Sequence, residues 1–154
     1  MSTQATTQLE TTGARPRRLL RSIGAVFAGL IAVFILSLGT DQVLHVLKDY
    51  PPWGQSMSNV LFLVATAYRL LYGIAGSYIA AWLAPDRPMR HAMALGVLGL
   101  MLSILGAAAT WSHEPPLGPH WYPVALVVTA LPCAWVGGTL WDVQVARSAA
   151  QPNS

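Results

Sequence analysis

Four apolar runs, each long enough to cross a lipid bilayer and each cut off from the next by prolines, restrict this chain more than any other feature. The hydrocarbon core of a membrane is about 30 Å thick, so a crossing helix needs about 20 mostly apolar residues. The run from Leu19, LLRSIGAVFAGLIAVFILSLG, meets that length, and further spans are expected near residues 58–83, 91–109 and 124–142. The segments between them, KDYPPWGQSM, APDRPMR and TWSHEPPLGPHWYP, all contain proline, which cannot continue a helix. Charge agrees with this reading. Only 10% of residues are charged, against about a quarter in a soluble domain, too few to cover a water-exposed surface. The expected fold is all-α: an integral membrane four-helix bundle.

Three segments follow from composition. Residues 1–18 begin with MSTQATTQLETTGA, rich in Thr and Gln without apolar period, and are expected to form a disordered cytoplasmic tail. Residues 19–145 form the transmembrane domain, and residues 146–154 a second cytoplasmic tail. The first apolar run with its preceding arginines imitates a signal peptide. It is long, lacks an A-x-A cleavage site and is followed by further spans, so it reads as a retained helix.

Orientation follows from basic residues near the span ends. Arg15, Arg17, Arg18, Arg21, Arg87, Arg90 and Arg147 fall on one side, and Lys48 alone on the other. The positive-inside rule therefore puts both termini in the cytoplasm, with the loops around residues 48–57 and 110–123 outside. The tryptophans give the same topology: Trp53, Trp111 and Trp121 fall at outer ends, Trp82 and Trp141 at inner ends. The arginine cluster before the first span has no interleaved aromatics and abuts an apolar helix, which makes it an orientation signal and not a nucleic-acid arm.

The two halves carry matching fragments. LSLG, PPWG and LVATA in the first are answered by LSILG, PPLG and LVVTA in the second, as two tandem helical hairpins would give. Each span also offers small residues at four-residue spacing: Gly24, Ala28 and Ala32; Gly76, Ala80 and Ala84; Gly99, Ser103 and Ala107; Ala130, Ala134 and Gly138. Such stripes let helix backbones approach closely in lipid. They serve either a compact bundle or a seam between copies of the chain. Pro132 lacks a backbone donor and is expected to bend the fourth helix.

Polar residues inside the spans are few. Ser37, Asp41, His45 and Lys48 recur every three or four residues and share one face of the first helix. Arg69 stands well inside the second. At 1.5 Å per residue, Asp41 lies about 10 Å and Arg69 about 16 Å below the outer boundary. That offset is within reach of an arginine extending outward. An Asp41–Arg69 pair is expected, because either charge alone near mid-bilayer costs about 2.5–3.5 kcal/mol on insertion scales. Thr66, Tyr68 and Tyr72 flank Arg69 and can hydrogen-bond. Two uses remain open. The pair can be a pin that fixes the first hairpin's register, or part of a proton or ion relay through Asp41, His45, Thr66 and Tyr72.

Other chemistry finds little support. His113, Glu114 and His120 could ligate a metal, but HEPPLGPH breaks the helical i, i+4 spacing of HExxH, and no metal site is expected. The single cysteine, Cys133, excludes a CxxC pair, and no phosphate-binding glycine loop is present. All four histidines lie toward span ends, away from where a haem would sit, so no cofactor is expected.

LGTDQVLH followed by AGSYIAAWLAPDRPMRHA resembles small bacterial membrane proteins with four predicted helices, over most of residues 22–141. The resemblance implies a bacterial inner membrane. Those relatives carry no assigned activity, so it transfers no functional residue. The expected function is a non-enzymatic structural or accessory role, alone or in a homo-oligomer or larger membrane complex. The alternative is an oligomeric proton- or cation-linked small transporter using Asp41, His45 and Arg69.

Overall fold

A computed structural model of the chain describes residues 3–52, 55, 57–112 and 117–150. These residues form four α-helices: α1 Thr3–Val46, α2 Asn59–Leu83, α3 Pro88–Trp111 and α4 Trp121–Ala150. All four contain stretches long and apolar enough to cross a membrane, and they pack against one another as a bundle. Large apolar side chains cover the outside, among them Leu20, Ile35, Leu71 and Val128, each more than 60% exposed. A monomeric soluble protein rarely exposes apolar surface so continuously, whereas lipid solvates it well.

Helix extends past the apolar spans at both ends. Residues 3–18, read as a disordered tail, continue α1, and residues 146–150 continue α4. Starting a helix is the costly step; each residue added to an existing one gains a backbone hydrogen bond. A transmembrane span is such a start, and Ala146, Ala149 and Ala150 are good helix formers. Trp53, Ser56, His113, Glu114 and residues 151–154 lie outside the described residues.

The helix ends show how the chain turns. α1 stops in a Schellman arrangement, with Lys48 N–H bonded to His45 O and Asp49 N–H bonded to Leu44 O, both at 3.1 Å. Lys48 occupies the left-handed position usually held by glycine, with φ at 63°. The turn folds Tyr50 back under the loop, where it is buried, stands edge-on to His45 and donates to Leu61 O at 3.4 Å. α3 begins at Pro88, whose missing N–H costs nothing in a first turn. Trp82, Trp111 and Trp121 lie at helix ends. Trp135 does not: it sits in the interior of α4, 59% exposed. α4 also runs through Pro132 without a break.

α2 and α3 each touch the other three helices, while the backbones of α1 and α4 do not come close to one another among the described residues. Glycines decide where backbones touch. A Cβ at Gly29 would stand 2.5 Å from Gly76 O and 2.8 Å from Leu95, so α1 crosses α2 and α3 there. At Gly137 a Cβ would press on Ile74 O, with Tyr78 N at 2.9 Å, joining α4 to α2. At Gly96 and Gly138 it would press on Ala134 and Met89, joining α3 to α4. These crossings cluster toward the end of the bundle that holds both termini. Toward the other end, where the α1–α2 and α3–α4 connections lie, a cleft opens between α1, α3 and α4. Gly24 and Gly99 have the spacing of packing positions, yet a Cβ added at either would meet no atom within 4 Å.

The crossings generate a prediction. Gly137→Ala is expected to destabilise the protein in detergent by about 1–3 kcal/mol, because backbone atoms cannot yield to the added methyl. Gly24→Ala is expected to be neutral or slightly stabilising, since alanine is the better helix former and meets nothing. Equal melting curves for the two variants would show that Gly137 is not a helix crossing.

Candidate functional site

Toward the loop end, α1 and α2 are tied by polar contacts in one antiparallel register. Thr40 Oγ1 and Tyr72 Oη lie 2.8 Å apart. One residue along α1, Arg69 Nη2 donates to Asp41 Oδ2 at 2.6 Å, forming an ion pair. Tyr68 donates its hydroxyl to the other carboxylate oxygen, Oδ1. Asp41 therefore accepts from both α2 donors at once. Its side chain is 10% exposed and that of Arg69 28%.

Aromatic rings complete the cradle. The Arg69 guanidinium lies 5.7 Å from the Tyr68 ring centre and 5.6 Å from that of Tyr122. A cation over an aromatic face is stabilised by about 0.5–2 kcal/mol, more when water is absent. Tyr122 comes from α4, so Arg69 binds α2 to α4 as well as to α1. Phe62 tilts against Tyr122 with centroids 5.0 Å apart and packs on Gly118, roofing the region. The Tyr122 hydroxyl is buried without a hydrogen-bond partner among the described residues.

The residues considered for a relay separate. His45 Nδ1 bonds the Asp41 backbone carbonyl at 2.7 Å, so this ring nitrogen faces the main chain of α1. Thr66 donates to Phe62 O at 2.8 Å, one turn back on its own helix, as Thr129 does to Ala125 O at 2.6 Å. Tyr72 meets Thr40. Tyr68, which the polar pattern only places beside Arg69, is the tyrosine that reaches the carboxylate. Its signal in the sequence is adjacency to Arg69: two neighbouring residues on α2 can straddle one acceptor on α1.

Cavities reach the pair from two sides. A pocket of about 200 Å³ near the α1–α2 connection touches Asp41, His45, Tyr50 and Arg69. A cleft of about 450 Å³ opens between α1, α3 and α4, with Arg69, Ser37 and Ser103 in its walls. A smaller space of about 180 Å³ continues it past Arg69 to Ser77, Thr129 and Cys133. Beyond that the glycine crossings close the bundle. Among the described residues no group of three His, Cys, Asp or Glu side chains is placed to hold a metal ion.

Comparison of the chain with protein-family models, with curated proteins and with solved structures gives no match. The reading of the site therefore rests on its own geometry.

The paired donors on Asp41 predict strong coupling. Asp41→Asn or Arg69→Gln alone is expected to destabilise by about 3–5 kcal/mol, because each leaves a buried charge without its partner. The double change is expected to cost less than the sum. Strictly additive losses in detergent unfolding would contradict a direct interaction.

Proposed function

We propose that the chain is a multi-pass protein of a bacterial inner membrane, with both termini cytoplasmic and a non-enzymatic structural or accessory role. The observation that carries the structural reading is the Arg69–Asp41 pair with Tyr68 on the second carboxylate oxygen. The contacts of the pair join helices: α1 to α2 through the carboxylate, and α2 to α4 through Tyr122. The pair thus acts as a pin. The basic residues at the terminal end and their scarcity around Lys48 support the orientation.

One observation favours the second reading, a proton- or cation-linked transporter: the pocket that reaches Asp41 and Arg69 from the α1–α2 connection. Against it stand the glycine crossings toward the terminal end, which leave the pocket blind. A path blind at one end binds; it does not conduct. Exchange would require helices held in backbone contact at Gly29, Gly76 and Gly137 to separate.

Reconstitution into liposomes loaded with a pH-sensitive dye tests the choice. The pin reading expects acidification under a potassium-driven potential to match that of protein-free liposomes. Flux that disappears in Asp41→Asn would establish transport instead. For orientation, a Gln55→Cys variant on a Cys133→Ala background is expected to react with an impermeant maleimide added outside intact cells; reaction only after lysis would reverse the topology.

A further inference from the structure

The cleft between α1, α3 and α4 is where the two-hairpin pattern of the chain fails. If the hairpins were related by a two-fold axis, the α2–α3 contact would be matched by an α1–α4 contact. The first exists and the second does not among the described residues. The space left by the missing contact is the cleft of about 450 Å³. Its apolar walls include Phe34, Leu38 and Leu102, which are also exposed on the outer face of the bundle, so the cleft opens sideways into the surrounding lipid.

Small residues keep it open. Gly99 lines both the cleft and its continuation, and a Cβ there would meet no atom within 4 Å. Gly106, farther along the same wall, is equally free. The α3 stripe that spacing assigns to helix packing faces this space instead.

The charged group in its walls, Arg69, can only donate. Arg69 has five N–H groups, and Asp41 is the only hydrogen-bond acceptor they meet among the described residues. Ser37 and Ser103, the matched serines of LSLG and LSILG, both line the cleft and make no hydrogen bond to the described residues. An occupant that answers Arg69 must therefore bring an acceptor oxygen, to which a serine hydroxyl can also donate. It must also be uncharged: the Arg69 charge is already offset by Asp41, and an anion would add an unbalanced charge in a low-dielectric space. Depth narrows the class again. Counted from the ends of their helices at 1.5 Å per residue, Ser37, Arg69 and Ser103 lie about 12–15 Å inside, near the middle of the bilayer. Glycerolipid ester groups stay at the interface, outside the hydrocarbon core.

We propose that this cleft is a binding site for a lipid-soluble quinone, a neutral ring carbonyl on an apolar chain. A ring carbonyl accepts from Arg69 and from Ser37 or Ser103, and the chain leaves through the lateral opening beside Phe34 and Leu102. The volume lies within the range of small-molecule sites, which pair apolar walls with a few polar groups in this way. The site binds; no electron transfer is assigned to it.

The test is thermal unfolding of the full chain in nonionic detergent, titrated with decylubiquinone. A ligand that binds only the folded state raises the melting temperature with its concentration. A saturable rise is expected for the natural chain and for Gly24→Ala, and none for Gly99→Leu, which fills the cleft. Replacing both serines, Ser37→Ala with Ser103→Ala, removes whichever one donates and is expected to raise the half-saturating concentration about tenfold, as loss of one neutral hydrogen bond implies. This second variant decides the matter should Gly99→Leu fail to fold. An equal rise in the natural chain and the double-serine variant would overturn the proposal. So would an equal rise with dioctanoylglycerol, which carries ester carbonyls and an apolar chain but no ring.

Discussion

A charged group in hydrocarbon has to be answered by another, and this bundle is arranged around one such answer. Arg69 stands ten residues into α2, beyond the reach of interfacial water by simple extension. Asp41 answers its charge, Tyr68 shares the carboxylate, and the rings of Tyr68 and Tyr122 face the guanidinium. Because these partners come from α1, α2 and α4, satisfying one side chain also fixes three helices relative to one another. Burying apolar surface supplies little of this in lipid, since acyl chains solvate leucine as well as another helix does.

The rest of the bundle divides the work by position along its axis. Toward the terminal end, backbones touch through Gly29, Gly76, Gly96 and Gly137, where dispersion at short range holds helices together. Toward the loop end a cleft separates α1 from α4, and polar contacts tie α1 to α2. The Schellman turn at Lys48 belongs to this second system, because it folds Tyr50 onto His45 and the start of α2. The gap between α1 and α4 is what exposes the donors of Arg69 to the cleft. Had α1 met α4 as α2 meets α3, those donors would be buried against apolar side chains.

Much of this is legible in the sequence, and the reasons for the remainder are specific. The spans are legible because bilayer thickness sets a minimum length that prolines then punctuate. The meeting of Asp41 and Arg69 is legible because helical rise converts residue number to depth, and a hairpin makes the two helices neighbours. Azimuth is harder. At about 100° per residue a one-position change moves a side chain to another face, so Tyr68 and not Thr66 or Tyr72 reaches the carboxylate. Thr66 is drawn away by its own helix, whose Phe62 carbonyl is always at hand. Nor does four-residue spacing say which small residues touch: Gly76 meets a neighbour, while Gly99 faces open space. The N-terminal stretch escapes a reading by composition, which ignores that a span already started carries helix beyond its apolar limit.

The central claim is that Arg69 is held by direct contact with Asp41 within the membrane. Solid-state NMR on the full chain in lipid bilayers, with ¹⁵N in the arginine side chains and ¹³C in the aspartate carboxyls, measures that contact through the dipolar coupling between Arg69 Nη and Asp41 Cγ. The account predicts a resolvable through-space coupling, as the 2.6 Å nitrogen–oxygen separation requires, and its loss in Asp41→Asn or Arg69→Gln. A fully folded chain in which no arginine nitrogen couples to the Asp41 carboxyl would contradict it.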